Sequence, residues 1–141
     1  MMTDDDFKEY ERTCAKLKAE NKQLLEDFGQ WLAGKSLAKK TIKRHTDNID
    51  IYINDYLLYD DAVPASEGAI SVSMFFGYWF PRKAMWASPT SVREISASLK
   101  KFYTFMLETG QIDADDLAEL KETIKGGNTR LAQHVMARRE Q

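Results

Sequence analysis

Residues 91–110, SVREISASLKKFYTFMLETG, set the terms for the rest of the chain. Val92, Ile95, Leu99, Phe102 and Met106 recur at intervals of three, four, three and four, which draws one apolar stripe along an α-helix. Ser91 followed three residues later by Glu94 has the spacing of a capping box, and Gly110 stands where a helix leaves through a left-handed residue. A stripe this long and this aromatic has to lie on other helices. Arg93, Lys100, Lys101 and Thr104 fall on the opposite side, free to meet something else.

Partners for that helix are present on both sides of it. A first helix is predicted from about Asp5 to Ala33, with Phe7, Tyr10, Cys14, Leu17, Leu24, Phe28 and Trp31 on one side and Gly34 as its stop. Asn21 interrupts that stripe, so a bend or fraying is expected there. A second helix starts near Ala38–Thr41 and turns Ile42, His45, Ile49, Tyr52, Ile53 and Tyr56 inward. Residues 59–70 read as a loop. A short, almost wholly apolar third helix follows from about Ser71 to Phe80 and is expected to end at Pro81. The stretch from Ser91 is then the fourth. Asp113 and Asp116 open a fifth, with Leu117, Leu120 and Ile124 inward and Lys125-Gly126-Gly127 as its close. A sixth is drawn from Asn128 to Arg139. No alternating strand pattern appears, so the fold class is all-α with short connections.

At 141 residues, with 43% hydrophobic and 11% aromatic content, the chain suits one globular domain. It has no apolar run of the roughly 18 residues that a membrane span needs. The acidic start MMTDDDFKEYERT has no signal-peptide character, and the single Cys14 fits a reducing compartment; a cytoplasmic location is expected. The net charge of -2 hides strong segregation. Residues 35–45 carry five basic groups and no acid, and 47–61 carry five acids and no base. Residues 82–101 are basic apart from Glu94, whereas 108–122 hold six acids against Lys121.

Catalytic patterns are missing: no glycine-rich phosphate loop, no paired cysteines, no His-Glu-x-x-His. His45 and His134 are far apart, and His45 reads as a packed histidine rather than a ligand or base. Cys14 lies on a core stripe, and the acid pair Asp115-Asp116 suits a helix start. No enzyme activity, metal or cofactor is expected. The basic blocks are more informative. Lys40, Lys43 and Arg44 project from the second helix opposite Ile42 and Ile49, as Arg93, Lys100 and Lys101 do from the fourth. Side by side, the two sets amount to about six phosphate neutralisations. A solvated face is the plainer reading, since Asp47 stands four residues after Lys43. The aromatic run MFFGYWF reads as core; Ile51, Phe105 and Trp86 suggest a second packing face or a protein contact.

The order Leu24-Leu25-x-x-Phe28-x-x-Trp31-Leu32, then Lys-Ser-Leu-Ala-Lys-Lys-Thr-Ile leading to His45, Ile49 and Ile53, resembles the start of the core-binding domain of tyrosine recombinases, the phage-integrase family. Ser91-x-x-x-Ile95-x-x-x-Leu99-x-x-Phe102-Tyr103-x-Phe105-Met106-x-x-x-Gly110-x-Ile112 is similar to a later helix of that domain. The resemblance implies a SAM-like orthogonal bundle of about five to six helices over residues 24–125. An N-terminal helical extension over 1–23 and a helical tail over 126–141 flank it. It implies double-stranded DNA as partner, held by the second and fourth helices through Lys39, Lys40, Lys43, Arg44, Arg93, Lys100 and Lys101. The arginines, histidine and tyrosine of the family's catalytic domain have no counterpart here. Asp113-Ala114-Asp115-Asp116 replaces the family's Asn-Pro and adds acid near the expected clamp.

Two readings follow. One is a non-catalytic DNA-binding module. The other is a protein-interaction or dimerisation module that kept the bundle and lost DNA binding, pairing through its long N-terminal helix; the pI of 5.7 and the acidic segments favour it.

Overall fold

Thr3 starts the first helix. Its Oγ1 accepts the Asp6 N–H at 3.1 Å while the Asp6 carboxylate accepts the Thr3 N–H at 3.2 Å, so two backbone donors of the first turn are satisfied reciprocally. The computed structural model describes residues 3–59, 61–84 and 87–126. The expected helix from Asn128 to Arg139, the Gly127 stop, His134 and Trp86 lie outside the described residues. Those residues are all-α, with no strand among them, and form two compact units, the first ending at Ala65 and the second beginning at Ser66.

In the first unit, α1 spans Asp4–Gly34. The helix ends at Gly34 as expected, but the left-handed residue that closes it is not the glycine. Lys35 caps the helix, Ser36 takes the left-handed conformation (φ 67°), and its N–H donates to Ala33 O at 3.0 Å. The Leu37 N–H reaches back to Leu32 O at 3.5 Å, completing a Schellman-type end. A serine there bears a left-handed cost of about 1–2 kcal/mol that glycine avoids, against about 0.4–1 kcal/mol of added freedom in the unfolded chain. Ser36→Gly is therefore expected to stabilise by roughly 0.5–1 kcal/mol, read from the midpoint of urea unfolding.

The second helix, α2 (Lys39–Asp50), runs unbroken into a π-helical turn, Ile51–Tyr56, where the Leu57 N–H donates to Tyr52 O, five residues back. This turn explains Asn21. Helix α1 runs unbroken through Asn21, and its buried amide donates to Ile53 O at 3.3 Å and Asn54 Oδ1 at 2.8 Å, while Asn54 in turn donates to Asp50 Oδ1 at 2.6 Å. A polar residue in an apolar stripe thus serves as a hydrogen-bonded tie between the two helices. α1 also approaches α2 closely at Gly29, where an added methyl would touch Thr46 Cγ2 at 3.8 Å and Ile42 Cγ2 at 3.9 Å. The Tyr10 hydroxyl donates to the carbonyls of Leu58 and Tyr59. Leu17, Phe28, Leu32, Ile49, Tyr52 and Ile53 are buried. Phe7, expected on the core side, is half exposed.

Part of the stretch read as a loop is a 3-10 helix, Ala65–Ser71, which starts on the last residue of the first unit and opens the second. It continues without a break through α3 (Val72–Met74), a π-helical turn (Phe75–Trp79) and α4 (Phe80–Lys83). Pro81 therefore does not end the helix. The π turn has already left the four-residue ladder, with the Phe80 N–H donating to Phe75 O, and Pro81 sits in the first turn of α4 where its missing N–H costs little. Phe75 stacks on Trp79 and Phe80 at 5.6 and 5.3 Å between ring centres, and Phe75, Phe76 and Phe80 are core, but Met74 and Tyr78, read as core with them, are exposed.

Helix α5 (Pro89–Glu108) begins earlier than the sequence suggested. Ser88 is the cap: its Oγ accepts the Ser91 N–H at 3.1 Å, the Ser91 Oγ accepts the Ser88 N–H at 2.7 Å, and Pro89 presets the first helical residue. Ser91 is thus the far member of the box, and Glu94 has no part in it. The other end is as expected. Gly110 is left-handed (φ 76°), its N–H donates to Leu107 O, and the Gln111 N–H reaches Met106 O at 2.8 Å. The buried face of α5 is wider than one stripe, taking in Ser96, Ser98, Tyr103 and Phe105 as well. Burial pushes the Tyr103 phenol far above its usual range. Asp113 and Asp116 cap residues 114–126 reciprocally, with the Asp116 N–H donating to Asp113 Oδ1 at 2.9 Å, and Leu117, Leu120 and Ile124 are buried.

Ser96 differs from its neighbour Ser98. The Ser98 hydroxyl donates to Glu94 O at 3.1 Å, whereas the buried Ser96 hydroxyl has no hydrogen-bond partner among the described residues. An unpaired buried hydroxyl costs about 1–3 kcal/mol, and alanine is the better helix former. Ser96→Ala is expected to raise stability by about 1 kcal/mol in chemical denaturation.

Candidate nucleic-acid interface

The four cations expected on the second helix all lie in the first two turns of α2 and are all exposed. The α2 core side carries His45 and Ile49, both buried, and helical spacing puts Lys40, Lys43 and Arg44 opposite them. Two features of this end bear on its charge. The N-cap is Ala38, which offers no side-chain hydrogen bond, so the first N–H groups of α2 have no cap. The first turn holds no acid; it holds Lys39 and Lys40. Cations at the positive end of a helix dipole oppose the helix's own field, so sequence and backbone together make this end electropositive.

The strip is not uniformly basic. Lys43 Nζ lies 2.9 Å from Asp47 Oδ2, an exposed pair that places a carboxylate among the cations. Farther along, Asp50 precedes the π turn. Asp55 has its carboxyl pushed above the usual range, by burial first and by the negative charge of Asp50 second, with Lys18 opposing. Lys35, in the same basic block of sequence, stands over the Trp31 ring at 5.0 Å, on α1's side of the turn. A shallow groove of about 400 Å³ between α1 and α2 is lined by Lys18 and Lys22 but also by Glu26, Asp47 and Asp50. Its mixed sign suits an anion poorly.

The other three predicted residues share a strip on α5. Arg93 and Lys100 are exposed and Lys101 is half-buried, with exposed Ala97 and partly exposed Thr104 on the same side. Arg93 and Lys100 are seven residues apart, about 10 Å along the axis. Among the described residues neither Lys100 nor Lys101 is paired with a carboxylate. The Thr104 hydroxyl is turned back to Lys100 O at 2.7 Å. Short side chains between the cations leave room for a rod-like polyanion to approach the helix. The two cation sets thus belong to separate units, α2 in the first and α5 in the second.

Ala38 was legible in the sequence: an alanine followed by two lysines is a poor way to start a helix for stability alone. The acidic flank of Asp50 and Asp55 was visible only as a charge run, and the Lys43–Asp47 pair as a spacing. Among the described residues no group of three His, Cys, Asp or Glu side chains is placed to hold a metal ion, and no helix is long and apolar enough to cross a membrane. Comparison with protein-family models, with curated proteins and with solved structures returns no match.

Proposed function

We propose that this chain is a non-catalytic DNA-binding module that grips duplex DNA through phosphates. Lys39, Lys40, Lys43 and Arg44 act on α2, and Arg93, Lys100 and Lys101 on α5. The observation that carries this reading is the start of α2, where four exposed cations surround an uncapped helix N-terminus. Backbone N–H groups and cations converging at one helix end suit a phosphate. That arrangement works against the stability of the isolated helix, as expected of a surface kept for an anionic partner. The resemblance to the recombinase core-binding domain supports it by selecting the same two helices.

A discriminating variant is Asp47→Asn. It releases Lys43 from its 2.9 Å ion pair and removes the carboxylate from the strip. With the carboxylate gone and Lys43 no longer shared with it, duplex binding is expected to tighten severalfold near about 0.1 M salt. Fluorescence anisotropy with a labelled duplex measures this. Unchanged or weaker binding would count against α2 as the contact helix.

The competing reading, a protein-interaction module paired through the N-terminal helix, draws support from Phe7, a residue of α1's apolar stripe that is 49% exposed. Phe7→Ser leaves duplex binding intact under the first reading and disrupts self-association under the second.

A further inference from the structure

The unbroken helical run from Ala65 to Lys83 leaves an apolar stripe facing outward. Ile70, Met74 and Tyr78 are 67%, 59% and 54% exposed, in contrast to Val72, Phe75, Phe76 and Phe80, which are buried on the other side. In a 3-10 helix side chains three apart eclipse one another, which aligns Glu67 with Ile70. Arg82 lies on the same side as Tyr78, its guanidinium over that ring, and Met74 is exposed one turn before Tyr78.

The two ends of this stripe carry opposite charge. Glu67 is exposed and has no ion pair among the described residues. At the other end Arg82 is exposed, lies 4.1 Å over the Tyr78 ring, donates to Tyr78 O at 3.1 Å, and likewise meets no carboxylate there. The order along the stripe is acid, Ile70, Met74, Tyr78, base. In residue number Met74 stands midway between Ile70 and Tyr78, and close to midway between Glu67 and Arg82.

We infer that this stripe pairs antiparallel with the same stripe of a second copy of the chain, about a two-fold axis at Met74. A two-fold contact is isologous: what residue i meets on its partner, that partner residue meets on it in return. The pattern satisfies this condition. Met74 meets the second copy's Met74, Ile70 meets its Tyr78, and Glu67 meets its Arg82, whose guanidinium is already ordered over an aromatic ring. A parallel pairing would set Glu67 against Glu67 and Arg82 against Arg82. The apolar area is of the few-hundred-Å² class, below the roughly 800 Å² per partner of a standard stable interface. The dimer is therefore weak and concentration-dependent, and methionine at the axis suits a surface that must repack on itself.

Sedimentation equilibrium on the full chain tests this from roughly 10 μM to roughly 1 mM, the range in which so small an interface would populate a dimer. A rise toward twice the monomer mass is expected. Glu67→Arg should lower association severalfold, as should Arg82→Glu, and combining the two should restore it. In a Cys14→Ser background, Met74→Cys should form an intermolecular disulfide on mild oxidation much faster than Ile70→Cys, because only the axial position meets itself. Circular dichroism confirms that each variant folds. A monomer throughout the range would overturn the proposal. So would association that survives Met74→Asp, or equally fast crosslinking at positions 70 and 74.

Discussion

Reversing the charge of both Lys39 and Lys40 to glutamate is expected to stabilise the fold and to remove most duplex binding. The two effects have one origin. Both residues lie in the first turn of α2, whose N-terminus has no side-chain cap. Carboxylates there complement the helix dipole where lysines oppose it, at about 0.3–1 kcal/mol per position. A rise of about 1 kcal/mol in unfolding free energy is therefore expected from the pair. Binding moves the other way. Two phosphate contacts are lost and two repulsive charges introduced, so affinity should fall at least about 50-fold near 0.1 M salt and the salt slope should flatten by about two. Thermal unfolding and anisotropy on the same sample check both signs. A variant that is more stable and binds as well as the parent would sever α2 from the function.

Phe28→Ala is expected to cost about 3–5 kcal/mol, the largest single loss in the first unit. Phe28 is fully buried, its ring stacked 6.2 Å from that of Trp31. It lies on α1 one residue before Gly29, where α1 comes close to Ile42 and Thr46 of α2. A close-packed interface of this kind cannot collapse to fill a phenyl-sized void without moving a helix, so the cavity term adds to the transfer term. Against a typical total of about 5–15 kcal/mol, this loss is large enough to shift the urea midpoint severely. A cost under about 1.5 kcal/mol would mean that Phe28 is not part of the packed core.

How much of this the sequence disclosed depended on the period of the signal. The stripes of α1, α2 and α5 are long and apolar, and long 3.6-residue patterns are the clearest signals a chain carries. Helix ends chosen by a single strong residue were legible too, as with Gly110 and with the Asp113–Asp116 pair. Ends chosen by competition were not. Ser88 and Ser91 both fit a cap, and Pro89, which favours the first helical position, decides for Ser88. Pro81 looked like a terminator because an α-helical ladder was assumed up to it; the π turn at Phe75–Trp79 removes that assumption. The same blindness hid the role of Asn21, whose partners Ile53 and Asn54 lie on a π turn that no apolar spacing announces. At the candidate interface the cations were plain, but their order was not. The spacing offered Asp47 to Lys43, and the structure closes that pair while leaving Lys100 and Lys101 without a described carboxylate.

The phosphate grip proposed for α2 and α5 stands or falls on one titration: affinity of the full chain for a duplex of about two helical turns, measured by anisotropy as salt is raised from about 20 to about 300 mM. With three to seven of the named cations engaged, log K should fall linearly with log salt at a slope between about −3 and −6. Binding undetectable at the lowest salt, or a slope near zero, would contradict it.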